Sequence, residues 1–204
     1  MSARAGLAAL CVAASLGGCG GSGEDETTTT APPAAPPPHE TVDKLPKLPQ
    51  SWHPYVQRRG GFAVGLPRGW TAKAKGDNAL VRSYDHLVAI SIVPNRSAAA
   101  QEVSLPDFAN RAAEALPGLR GDLRRVQARA YRHRYDGAEV RARATAAGGI
   151  DQRLEVIALR RDSVVTVTAV IAANAIPAAR ASRRLARHVV GTLSTRPPRR
   201  AGGG

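Results

Sequence analysis

Between residues 52 and 195 the chain alternates apolar and polar positions in short runs, and those runs predict a mixed sheet and helix domain. Phe62-Ala63-Val64-Gly65-Leu66 reads as a strand that stops at Pro67-Arg68-Gly69, a turn signal, with Trp70 just beyond. Gly76-Asp77-Asn78 is a second turn leading to a strand over 79–84. Asp85-His86 separates that strand from 87–93, where Val88, Ile90 and Ile92 share one face. Pro94-Asn95 closes the run. Ser104 followed by Asp107 predicts a helix start, with Ser104 as N-cap, and Phe108, Ala112, Ala115 and Leu116 supply its apolar stripe.

From Val126 to about Ala173 the pattern is a four-stranded meander. Asp136-Gly137 predicts a two-residue hairpin turn that pairs Tyr135 with Ala138, His133 with Val140 and Tyr131 with Ala142, and on the other face Arg134 with Glu139 and Arg132 with Arg141. The parity change between Ala130 and Tyr131 calls for a bulge near 129–131. A loop at Gly148-Gly149-Ile150 sets Ala144 against Leu154, Ala142 against Val156 and Arg143 against Glu155. A turn at Arg161-Asp162 sets Val156 against Val167 and Ala158 against Val165. Ile157, Leu159, Val164 and Val170 make the opposite face apolar as well. A sheet apolar on both faces must be covered on both, so helices are expected on each side. Asn174 is expected to cap a last helix with Pro177 in its first turn. Ile176, Ala181, Leu185, Val189 and Leu193 form its buried stripe, and Arg180, Arg183, Arg184 and Arg187 its charged one.

The first 51 residues follow different rules. Ala5 to Ser15 is an apolar stretch too short to span a bilayer but suited to a signal peptide. It ends in Leu16-Gly17-Gly18-Cys19, the pattern of a lipoprotein cleavage and lipidation signal. Residues 1–18 are therefore expected to be removed and Cys19 to carry the lipid anchor. Residues 19–51 hold a Gly/Ser segment, an acidic triplet, four threonines and a proline cluster, which cannot bury a core and read as a disordered spacer. Its reach lies between about 30 Å as a coil and about 100 Å extended. The domain is expected over 52–195, with a disordered basic tail over 196–204.

Composition narrows the function only partly. The chain has 204 residues, 29 Lys+Arg against 16 Asp+Glu and a net charge of +13. Such a charge favours anionic partners, but arginine outnumbers lysine 25 to 4 in an Ala- and Gly-rich chain, the usage of a GC-rich genome. With Cys11 lost to cleavage and Cys19 acylated, no thiol remains for a disulfide, a nucleophile or a metal site. No cofactor is expected beyond the covalent lipid, and no metal.

Gly61-Phe62-Ala63-Val64-Gly65-Leu66-Pro67-Arg68-Gly69-Trp70 resembles the opening strand of PsbP-like domains, and the element order that follows is similar too. That resemblance implies an α/β/α sandwich, an antiparallel sheet flanked by helices in the α+β class, as in the LpqN type of actinobacterial lipoproteins. It implies a binding module rather than an enzyme, because the fold carries unrelated partners.

The residue-level candidates are few. Trp70 is read as a core plug. Tyr131, His133 and Tyr135 form a possible polar site with a titratable centre. Asp85-His86 suits a tight turn better than a metal pair, since no third ligand is evident. No serine nucleophile motif or dinucleotide loop is present. Arg180, Arg183, Arg184 and Arg187 are the candidate contact for an anionic partner. The expected partners are the membrane, through the lipid, and an unidentified protein or envelope polymer. Nucleic acid is not expected, since aromatics for stacking are scarce. The resulting expectation is a non-catalytic adaptor tethered outside the cytoplasm. The alternative is an electrostatic envelope protein that docks through its arginine-rich helix.

Overall fold

The computed structural model describes residues 47–116, 119–120 (backbone only), 128–145, 149–161 and 165–195 (165 by its backbone only). The expected signal peptide, Cys19, most of the spacer and the basic tail lie outside the described residues.

Two strands, β1 (His53–Gln57) and β2 (Phe62–Leu66), form a hairpin that lies apart from the main sheet. The hairpin is followed by the turn at Pro67. There Trp70 N–H donates to Pro67 O over 3.1 Å and Gly69 has φ 79°, the left-handed position a type II turn requires at its third residue. The main sheet holds β3 (Thr71–Lys75), β4 (Asn78–Arg82), β5 (Val88–Asn95), β6 (Leu119–Arg120), β7 (Arg129–Ala130), β8 (Asp136–Thr145), β9 (Asp151–Arg161) and β10 (Val165–Asn174). Its order is β3-β4-β5-β10-β9-β8-β6, with β7 also paired to β8, and every pairing is antiparallel. Three helices are present among the described residues: α1 (Ala98–Glu102), α2 (Leu105–Glu114) and α3 (Ala179–Gly191). The fold is α+β.

The central strands are buried on both faces, and each face has its own cover. Ile157, Leu159, Val167, Ala169 and Ile171 pack with Phe62, Val64 and Trp70 of the hairpin region and with Ala186, Val189 and Val190 of α3. On the other face Leu154, Val156, Ala158 and Val170 pack with Ala109, Ala113 and Leu116. Alternate residues of β9 thus enter two separate cores, which requires helices on both sides, as expected from the pattern. Trp70 is 3% exposed and sits in the first core.

The helix at Ser104 forms as expected, its hydroxyl accepting from Asp107 N–H. Its deepest residues, however, are Ala109 and Ala113, while Ala115 is exposed beyond the last turn.

The meander is present, but its registers differ from the expected ones. Asp136-Gly137 is not a turn. Gly137 is not among the glycines with positive φ, and both residues open β8. Gly137 allows close backbone approach instead: a Cβ there would lie 2.8 Å from Tyr131 O, and Gly137 O accepts from Tyr131 N–H. The reversal is made by residues 131–135, and β7 pairs Arg129 with Glu139 and Ala130 with Ala138. The expected partners Tyr135–Ala138, His133–Val140 and Arg134–Glu139 are therefore not opposite one another, and no bulge at 129–131 is needed.

Between β8 and β9 the strands end at Thr145 and Asp151, setting Ala142 against Leu154 and Arg141 against Glu155. This differs from the expected pairing by two residues, so each side chain keeps its face. Between β9 and β10 the pairing is Leu159 with Val167 and Val156 with Val170. Here the difference is odd and exchanges faces, because side chains alternate with period two. Val167 joins Ile157 and Leu159 rather than Val156, while Val170 joins Val156. Val164 falls outside the described residues.

Asn174 does not cap α3. It ends β10, its N–H donating to Leu87 O, and a turn over 175–178 intervenes. The N-cap is Ala178, without a side-chain cap. This later start rotates the buried face to Ala179, Ser182, Ala186, Val189 and Val190, leaving Ile176 and Ala181 exposed. Past the helix, Ser194 exchanges backbone hydrogen bonds with Ala63, of 2.7 and 2.8 Å, tying the end of α3 to the hairpin.

Candidate functional site

One groove gathers most of the chemistry. It has a volume of about 830 Å³ and is walled by Trp52, Tyr131, Arg132, Glu139, Arg187 and His188, among others. The elements meeting there are the segment before β1, the loop after β7, the middle of β8 and the last half of α3.

Its floor is an ion network. Arg187 reaches down from α3 and donates from Nη1 to Glu155 Oε2 and from Nη2 to Glu139 Oε2, each over 2.9 Å. Arg141 Nη2 donates to the other oxygen of Glu139, also over 2.9 Å. Glu139 and Glu155 are diagonal neighbours on adjacent strands, since Arg141 rather than Glu139 stands opposite Glu155. Their side chains are only 8% and 9% exposed, against 33% for Arg187. Carboxylates buried to this degree need partners. A guanidinium fork is the side chain that serves two of them at once.

Tyr131 caps the network. Its hydroxyl donates to Arg187 O over 3.3 Å, and the Arg187 guanidinium stands 5.7 Å from its ring centre. Burial raises the phenol pKa, with Glu139 and Glu155 adding and Arg187 opposing, so the group stays protonated and remains a donor. His133 lies 6.4 Å from the Tyr131 ring and 5.0 Å from Tyr135. Its Nδ1 accepts from Tyr135 N–H over 3.1 Å. Burial and then the adjacent Arg134 guanidinium lower its pKa from 6.5 to about 4, against the pull of the Gly191 and Val190 carbonyls. The imidazole is therefore neutral near pH 7, with Nε2 buried and lacking a hydrogen-bond partner among the described residues. Arg134, expected opposite Glu139, donates to the Thr192 and Leu193 carbonyls at the end of α3.

The three aromatics of the expected polar site are thus neighbours, but on a loop rather than on a sheet face. Only Tyr131 lines the groove. The four arginines of α3 separate in their surroundings. Arg187 is held by carboxylates, Arg180 and Arg183 line a small pocket at the start of the helix, and Arg184 is exposed. Glu139, Glu155 and Trp52 were not singled out from the sequence as site residues. The available signal was two carboxylates each set directly between apolar neighbours, Ala138-Glu139-Val140 and Leu154-Glu155-Val156, in an arginine-rich chain.

Asp85 does structural work in its turn. Its Oδ1 accepts from Ser83 Oγ over 2.5 Å and from Leu87 N–H over 3.0 Å, and its Oδ2 accepts from Ser182 Oγ over 2.6 Å. Burial raises its pKa, but these hydrogen bonds outweigh that and leave it below the usual carboxylate value. His86 beside it has φ 58°. Among the described residues, no three His, Cys, Asp or Glu side chains are placed to hold a metal ion. No described helix is long and apolar enough to cross a membrane.

No protein-family model matches the chain, and a search of curated proteins gives no sequence match. Solved structures similar to it include a protein of Bacteroides thetaiotaomicron, at 14% identity and TM-score 0.49, with 75% of this chain and 50% of that one covered. This chain therefore spans about half that protein's length. Cyanobacterial PsbP of Synechocystis is similar at 11% identity and TM-score 0.49, covering 77% of this chain and 98% of the other. LpqN of Mycobacterium tuberculosis, a protein involved in cell envelope biogenesis, is similar at 14% identity and TM-score 0.42, covering 70% and 85%.

Proposed function

We propose that this chain is a lipid-anchored extracytoplasmic lipoprotein with a PsbP-like domain, and that it works as a non-catalytic binding module of the cell envelope. The anchor reading rests on Leu16 to Cys19 and the low-complexity spacer behind it. The binding reading rests on the groove of about 830 Å³ between α3 and the loop at Tyr131. In it a fixed floor of paired charges lies beneath two aromatic walls, Trp52 and Tyr131. Aromatic and arginine side chains on a rigid support are what protein interfaces use as anchors.

The test is a pulldown from native membranes with the mature chain at low and high salt. Retention of one partner at high salt, lost in Trp52→Ala and Tyr131→Ala, is the expected result. Binding that disappears with salt and is indifferent to both substitutions would overturn the groove reading. The anchor is tested separately, since Cys19→Ala should release the chain from the membrane fraction.

A further inference from the structure

We propose that the pocket at the start of α3 is an oxyanion site for a phosphomonoester group. It has a volume of about 110 Å³, room for a terminal phosphate but not for a polymer segment. Arg153 of β9 and Arg180 and Arg183 of α3 line it with Asn174, Ile176 and Pro177, and no carboxylate is part of its wall.

The two ends of α3 contrast. Near its C-terminal end, Arg187 meets Glu139 and Glu155. Near its N-terminal end, Arg153, Arg180 and Arg183 have no side-chain hydrogen bond or ion pair among the described residues. The strand register adds to the excess of charge. Arg143 stands directly opposite Arg153 on the same face of the sheet, and like charges in that position repel. A bound dianion relieves the repulsion and takes paired N–H donors from guanidinium forks, which fit phosphate oxygens better than an ammonium would.

The helix supports the site without supplying its main donors. The first turn of α3 contains no acidic residue, so the positive end of its dipole is not neutralised by a side chain. The Ala179 and Arg180 N–H groups donate to the Ile176 and Pro177 carbonyls, which leaves the guanidinium groups as the donors to the ligand. This site is separate from the groove at the other end of α3, so its failure would leave the proposed binding function standing, and the reverse holds too.

The experiment is an NMR titration of the chain with inorganic phosphate, read at backbone amides and arginine Nε–H signals. Binding is then measured to phosphatidylcholine vesicles with and without phosphatidic acid, whose headgroup is a phosphomonoester. The expected result is saturable shifts at Arg153, Arg180 and Arg183 and at the 175–180 turn. Affinity should fall at least about tenfold in Arg153→Gln and in Arg180→Gln, the loss expected for a charged hydrogen bond, and stay unchanged in Arg184→Gln. Vesicle binding that requires both phosphatidic acid and Arg153 would identify a lipid headgroup as the source. Phosphate binding without vesicle binding would identify a soluble phosphomonoester. Absence of saturable phosphate shifts, or shifts of equal size at arginines outside the pocket, would overturn the proposal.

Discussion

Acidification from pH 7 to about 4.5 should destabilise the domain mainly through His133. The imidazole pKa is about 4 when folded, against 6.5 when free, because burial and Arg134 disfavour the cation. Between those values the unfolded chain takes up a proton that the folded chain refuses. Stability is therefore fully present above pH 6.5 and is lost as the pH falls toward 4. Each unit of difference corresponds to about 1.4 kcal/mol, and with the ring's partial exposure to solvent screening counted, moving from neutral pH to 4.5 removes about 1–2 kcal/mol. With a urea dependence of about 1–3 kcal/mol/M, the unfolding midpoint falls by about 0.3–2 M. The comparison protein is His133→Gln, which keeps a hydrogen-bonding side chain but cannot titrate. Its midpoint should fall less than that of the wild type by the amount given. Asp85, whose pKa is already lowered from 3.8, loses its contribution below this window, and groups common to both proteins cancel. Equal pH dependence in wild type and variant, or a His133 ring titrating near its ordinary value by NMR, would rule out His133 as the source of the acid sensitivity.

Three further outcomes follow from the same geometry. Arg187→Leu strands the buried Glu155 and leaves Glu139 with Arg141 alone, and should cost about 2–4 kcal/mol in urea unfolding, while adding Glu155→Gln should recover part of the loss. Ser182→Ala removes the link between α3 and Asp85 and should cost about 1–2 kcal/mol at pH 7; since Asp85 has a lowered pKa, that contribution is present above pH 3.8 and the difference between variant and wild type should shrink below it. Gly60→Ala places a Cβ 2.1 Å from Asp77 O and should lower the unfolding free energy in urea by about 1–3 kcal/mol.

The sequence announced some parts of this molecule and concealed others for definable reasons. The two-faced apolar character of β9 and β10 was legible and required helices on both sides of the sheet. The Ser104 cap was equally legible, because capping is local. Register was not, because it depends on where each turn closes. Gly137 carried the composition of a turn residue while serving as a point of close approach beneath Tyr131. Asn174 carried the composition of a cap while ending a strand. A two-residue difference at β8 and β9 left faces intact, whereas an odd one at β9 and β10 exchanged them. For the same reason the arginines of α3 looked alike in sequence. What separates Arg187 from Arg180 and Arg183 is the opposing sheet, with Glu139 and Glu155 under one end of the helix and Arg153 under the other.

The groove is most directly tested in intact membranes, by photo-cross-linking from position 132 at its rim, with position 111 on exposed α2 as the control. One salt-resistant adduct is expected from position 132, lost in Tyr131→Ala and absent from position 111. Equal adducts from both positions, or none from position 132, would contradict the groove as the binding site.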